Sequence, residues 1–166
     1  MQVNKKYWLA FSALKNTGSV FVQRLYEHFS DIETAWNADV SELIKIESIT
    51  KKQLDSFINE RININPDECF DIITSKNIDF ITFEDNTYPV LLRSIYNPPM
   101  TIFLKGDINR CNLNRTLAVV GSRRASNNAK ETLSKILSQF AGTDICIVSG
   151  LAAGIDTIAH QTSVDN

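Results

Sequence analysis

Two short apolar runs, Leu117-Ala-Val-Val120 and Ile145-Cys-Ile-Val148, each pass directly into a loop of small residues and then a helix-forming segment. This repeat constrains the chain more than any other feature. A strand that is apolar at every position needs cover on both faces, and such strands alternating with amphipathic helices build a parallel sheet with right-handed crossovers. The first helix is expected to open at Ser126 and to place Ala129, Leu133, Ile136, Leu137 and Phe140 on one face, ending at Ala141-Gly142. The second is expected to follow Gly154.

The chain before this repeat has a different grain. Tyr7, Phe11 and Leu14 recur at helical spacing, as do Val20, Leu25 and Phe29 after Thr17-Gly18-Ser19, whose hydroxyls suit a cap. Asp31 can cap a helix carrying Ala35 and Trp36, Ser41 to Ile44 a short one, and Thr50 one that runs through Leu54, Phe57 and Ile58. Residues 1–62 are therefore read as a small all-helical module with an aromatic core, and 63–166 as a second, mixed module. The stretch Leu43 to Leu54 resembles a helix-hairpin-helix element, yet Ser48 and Thr50 stand where that motif has glycines, so a packing role is preferred to phosphate contact. Asn65-Pro66 should start a helix with Cys69, Ile72 and Ile73 facing inward. Residues 79–83 and 101–104 read as strands, with a helical turn from Pro89 and a break at Pro98-Pro99 between them.

Bulk properties exclude some functions. A net charge of -2 and a pI near 5.7 give no overall positive field, so any nucleic-acid binding must be local. Cys69, Cys111 and Cys146 are too far apart to form a metal knuckle or redox pair and are read as reduced thiols; no metal or cofactor is expected. No run approaches the ~18 apolar residues of a membrane span, and a cytoplasmic address is expected.

In a parallel sheet the loops leaving the carboxyl ends of the strands form the ligand crevice. Gly121 allows close backbone approach, Ser122 offers a hydroxyl, and Arg123, beside Arg124, offers a fork suited to phosphate oxygens. Ser149, Gly150 and Gly154 repeat the pattern in the second loop. The site is read as anion-binding, with Ser126, Asp156 and His160 ordering the loops rather than performing acid/base chemistry. Neither loop has the glycine spacing of a dinucleotide fingerprint or the Gly-Lys-Ser/Thr of a P-loop. The same residues also suit two tight packing turns with an exposed arginine.

Tyr88-Pro89 with Leu92, Asn97-Pro98-Pro99, Phe103-Leu-Lys-Gly106, Ala118-Val-Val-Gly-Ser-Arg123 with Ala125-Ser126, and Val148-Ser-Gly-Leu-Ala-Ala-Gly-Ile-Asp-Thr-Ile-Ala-His160 occur in one order. Together, over about residues 80–160, they resemble the DNA-processing protein A family, DprA or Smf. The resemblance implies an α/β fold: a helical N-terminal module followed by a Rossmann-like parallel-sheet domain. It implies a cytoplasmic, non-enzymatic protein that binds single-stranded DNA in natural transformation, protects it and loads the RecA recombinase, with dimers formed through the Rossmann-like domain. It also assigns Gly121, Ser122, Arg123, Ser149, Gly150 and Gly154 to the DNA pocket.

The chain departs from the family pattern at Asn127-Asn128-Ala129, where x-Tyr-Gly is usual. The family's sheet also continues beyond the position of Asn166, so the parallel-sheet domain is expected to be truncated. Two alternatives follow: a nucleoside-monophosphate phosphoribohydrolase-like enzyme, although its Pro-Gly-Gly-x-Gly-Thr-x-x-Glu segment does not occur here, and an inactive remnant.

Overall fold

The structure is a computed structural model and describes residues 4–110 and 115–166; Cys111 lies outside the described residues. The chain divides into two compact units, Met1–Gly106 and Asp107–Asn166.

The first unit begins with helices α1 (Lys5–Ser12), α2 (Ser19–Phe29), α3 (Ile32–Asn37), α4 (Val40–Leu43), α5 (Lys51–Arg61) and α6 (Pro66–Ser75). Strand β1 (Asp79–Thr82), helix α7 (Val90–Arg93) and strand β2 (Thr101–Leu104) follow. Local signals set several of these boundaries. The Asp31 carboxylate accepts from the Thr34 amide, Thr50 and Gln53 form a reciprocal capping box, and Asn65 caps α6 with Pro66 in its first turn. Helix α2 differs from expectation: Gly18, which has no side chain, is its N-cap, and neither neighbouring hydroxyl bonds there. No residue of α6 is buried, and Ile72 remains 52% exposed. The stretch between α4 and α5 contains no residue with positive φ, so it lacks the left-handed turn of a phosphate-binding hairpin; Leu43, Ile46 and Leu54 enter the core instead.

That core is aromatic. Phe57, fully buried, stacks on Phe11 with centroids 5.5 Å apart and meets Phe21 at 5.3 Å and the edge of Trp36 at 5.7 Å. Strands β1 and β2 form an antiparallel pair with Asp79 opposite Leu104 and Thr82 opposite Thr101. They belong to the same compact unit as the helices, whose division from the later strands falls at Gly106. The cause is a set of long-range ties. Met100 joins the aromatic core, the Trp8 indole donates to Glu84 at 3.1 Å, and Lys5 pairs with Asp85 at 2.9 Å. Tyr88, almost wholly buried, donates its hydroxyl to the Pro99 carbonyl at 2.7 Å and thereby anchors the double-proline turn.

The second unit runs from a 3-10 turn (Ile108–Arg110) through β3 (Thr116–Ala118), α8 (Asn127–Leu137), a second 3-10 turn (Ser138–Phe140) and β4 (Cys146–Val148) to α9 (Ile155–Asp165). Strands β3 and β4 are parallel, with Leu117 opposite Ile147 and Ala118 opposite Val148, as the sequence reading requires. Val119, Leu137 and Ala159 form the buried centre, with Leu117, Leu133, Phe140, Ile147 and Ile155 packed around it. Side chains alternate across a strand; Leu117 and Val119 therefore turn to the helices while Val120 stays 82% exposed. Helices α8 and α9 pack against each other, and α9 also packs against β4. Ile136, expected on the packed face of α8, is also exposed.

Two outcomes follow for the first unit. Phe57→Ala should lower its stability by about 3–5 kcal/mol, because the neighbouring rings cannot collapse into the space. Tryptophan fluorescence during urea unfolding reads this directly, since Trp8 and Trp36 both lie in this unit. Stability should also fall with acid. Bonds from the Thr34 amide and hydroxyl hold Asp31 below the ordinary carboxylate range; burial pushes Asp85 up, but bonds from Thr82 and Lys5 outweigh it and leave its pKa lowered. A depressed folded-state pKa contributes stability above the unfolded value of ~4 that is lost as pH falls through the folded value. Asp31→Asn should therefore flatten the decline below about pH 4.

Candidate nucleic-acid interface

The two loops at the carboxyl ends of β3 and β4 lie against each other. The Val119 amide donates to the Val148 carbonyl at 2.9 Å, and the Ser149 hydroxyl donates to the Val119 carbonyl at 2.8 Å, closing the strand ends together. Ser149 is thus a clasp between strands, and its hydroxyl hydrogen is already committed.

Three glycines permit the contact, each because a Cβ would collide. At Gly121 it would fall 2.6 Å from the Ile155 side chain, so the glycine lets the start of α9 reach the first loop. At Gly150 it would sit 2.9 Å from an Asp156 oxygen. At Gly154 it would lie 2.2 Å from the Ser122 carbonyl oxygen, and a φ of +87° adds a backbone conformation that side chains disfavour. Beyond that contact, the Ile155 amide donates to the Ser122 carbonyl at 3.2 Å.

Asp156 is 8% exposed and takes up the second loop's donors: the amides of Gly150, at 3.1 Å, and Ala152, at 3.4 Å, both point to its Oδ2. A buried carboxylate with this geometry repels a second anion from the same amides. The Gly150 amide is therefore bonded within the second loop, and the Ile155 amide rather than a glycine amide makes the bond to Ser122. Asp156 also holds Leu151 in the left-handed region, at φ +56°, between the two bonded amides. That conformation costs a non-glycine residue about 1–2 kcal/mol, and Leu151 nonetheless remains 80% exposed. Nothing in Ser-Gly-Leu-Ala pointed to it, since an adjacent glycine would be expected to take a positive φ.

The first loop remains open. Ser122, Arg123 and Arg124 are exposed, and the Arg124 amide donates to the Ser122 hydroxyl oxygen at 3.0 Å, a bond that shapes the turn. Ser126 caps α8 by accepting from the Ala129 amide at 3.2 Å. His160 lies one turn along α9 from Asp156, and its Nε2 is buried with no hydrogen-bond partner among the described residues. The site thus brings Gly121, Ser122, Arg123, Gly150, Gly154 and Asp156 into one constellation, while His160 makes no bond to the loops through that atom. Among the described residues there is no group of three or more His, Cys, Asp or Glu side chains placed to hold a metal, and no helix is long and apolar enough to cross a membrane.

The loop contact predicts its own sensitivity. Gly154→Ala should destabilise the second unit by roughly 3 kcal/mol, combining backbone strain with displacement of the Ser122 carbonyl. Faster exchange of the Val119 amide, with unchanged tryptophan fluorescence, is the expected signature; unaltered exchange would show that the loops tolerate separation.

Comparison with known proteins places this arrangement. The family model described as DNA recombination-mediator protein A matches residues 79–166. Protein Smf of Synechocystis is 34% identical over 159 residues, covering 94% of this chain and 40% of Smf. DNA processing protein DprA of Streptococcus pneumoniae is 39% identical over 82 residues, 49% of this chain and 28% of that protein. The X-ray structure of the Streptococcus pneumoniae DprA superposes with a TM-score of 0.72 and 24% identity, over 99% of this chain and 54% of that one; this likeness establishes the fold. The chain spans about two fifths of the length of Smf and about half that of the solved DprA chain. The match from β1 to the end of α9 and the paired strand-end loops lead to one conclusion: the chain belongs to the DNA recombination-mediator protein A family.

Proposed function

We propose that the second unit binds the backbone of single-stranded DNA on its Ser122–Arg124 loop, in the service of DNA recombination. The observation that carries this reading is the exposed Arg123-Arg124 pair on a turn fixed from behind by Gly154 and Ile155. A guanidinium on a preorganised loop gains more from a phosphate than one on a mobile segment, because less freedom is lost on binding. Local preorganisation also suits a chain whose net charge of -2 provides no long-range attraction. Membership of a recombination-mediator family supports DNA as the polyanion.

The role extends, in this proposal, to protecting incoming strands during natural transformation and delivering them to the RecA recombinase in the cytoplasm, with the whole protein acting as a homodimer. Chemistry on the strand is not part of it. Asp156 is committed to backbone amides, and the His160 Nε2 is buried, so neither is placed as an accessible acid or base.

Titration of a fluorescent oligothymidylate with the chain at several salt concentrations tests the reading. Binding should weaken with salt, and Arg123→Ala should lower affinity about tenfold and reduce the slope of log K against log[salt] by about 0.7, the loss of one phosphate contact. Equal, salt-independent signals from both proteins would overturn it.

A further inference from the structure

Binding to an unpaired strand has a second requirement, because its bases need an apolar surface on which to pack. Phe140 is the only aromatic residue in the second unit, and it packs against the buried centre between the helices and sheet. Among the described residues, no Phe, Tyr or Trp of this unit therefore adjoins the arginine loop. Leu151 has the properties of a substitute. It is a large aliphatic side chain at 80% exposure, and its left-handed backbone is bracketed by the two amides that Asp156 holds. Local strain together with an exposed apolar side chain is unfavourable for the free protein and persists only where the surroundings impose it. Asp156 imposes it here. The position is also suitable: Leu151 is three residues from Gly154, whose missing side chain leaves room for the Ser122 and Arg123 backbone, and three peptide steps keep the Leu151 Cα within about 11 Å of the Gly154 Cα.

We propose that Leu151 is a base-packing residue: its side chain rests against a nucleobase of the strand whose phosphates lie on Arg123 and Arg124. This rests on the single-strand reading above and adds a role for the second loop that phosphate chemistry does not supply. Asp156 is then a positioning residue, holding the leucine toward solvent.

The test compares the wild-type chain with Leu151→Asn, Leu151→Met and Arg123→Ala on two oligonucleotides, one of thymidylate and one of equal length whose sugars carry no bases. Asparagine tolerates the left-handed conformation, so Leu151→Asn should keep the thermal midpoint while removing the apolar surface. It should bind oligothymidylate about three- to tenfold more weakly at every salt concentration, leaving the salt slope intact. Leu151→Met should restore most of the affinity. On the abasic strand, wild type and Leu151→Asn should bind alike, a result that a purely structural role for Leu151 would not produce. Equal affinity of Leu151→Asn and wild type for oligothymidylate, with Arg123→Ala still impaired, would overturn the base-packing role and leave phosphate binding standing. Equal weakening of Leu151→Asn on both strands would overturn it as well. Failure of the wild type to bind either strand would overturn both readings.

Discussion

The strand-end loops meet through two stretches of backbone: the Ser122 carbonyl fills the space where any side chain at Gly154 would begin. Everything distinctive about the strand-end loops depends on it. Because Gly154 admits the carbonyl, the Ile155 amide can bond to it, α9 starts at the correct height, and Ile155 packs beside Gly121 and into the buried centre. The first loop is thereby supported from below by a helix and need not support itself. The exposed arginine pair stands on a turn whose backbone is bonded to the start of α9, the preorganisation that the proposed binding draws on.

The same packing divides the labour between the loops. Helix N-termini generally provide unbonded amides for anions; here the Ile155 amide is taken by Ser122, and the Gly150 and Ala152 amides of the second loop are taken by the buried Asp156 carboxylate. Positive charge sits on one loop and a bonded carboxylate behind the other. The first loop offers exposed Ser122, Arg123 and Arg124 to the proposed phosphate, and the second presents the exposed apolar side chain of Leu151.

Much of the architecture was legible in the sequence. The apolar runs before Gly121 and Ser149 specified the parallel pair, and Asp31, Thr50, Asn65 and Ser126 announced their helix starts because capping is decided within a few residues. What escaped was non-local. The strands at 79–82 and 101–104 fall in the 63–166 module of the sequence reading, yet Glu84, Asp85 and Met100 tie them to the N-terminal helices through partners far away in sequence. Periodicity placed Ile72 and Ile136 on apolar faces but could not say whether another element covers those faces. At the site, small residues after a strand correctly marked where the loops meet. Whether each glycine serves a ligand or a neighbouring backbone depends on distances of 2–3 Å that residue type does not encode, and the left-handed turn fell on Leu151 beside a glycine that could have taken it.

The central claim, that the strand engages the first loop while Asp156 keeps the second loop's amides, is tested most directly by amide NMR of the isotope-labelled chain during oligothymidylate addition. The account predicts large shifts at the Ser122, Arg123 and Arg124 amides, with the Gly150 and Ala152 amides retaining their slow exchange because their bonds to Asp156 survive binding. Release of the Gly150 and Ala152 amides from Asp156, accompanied by small shifts in the arginine loop, would contradict it and move the phosphate seat to the second loop.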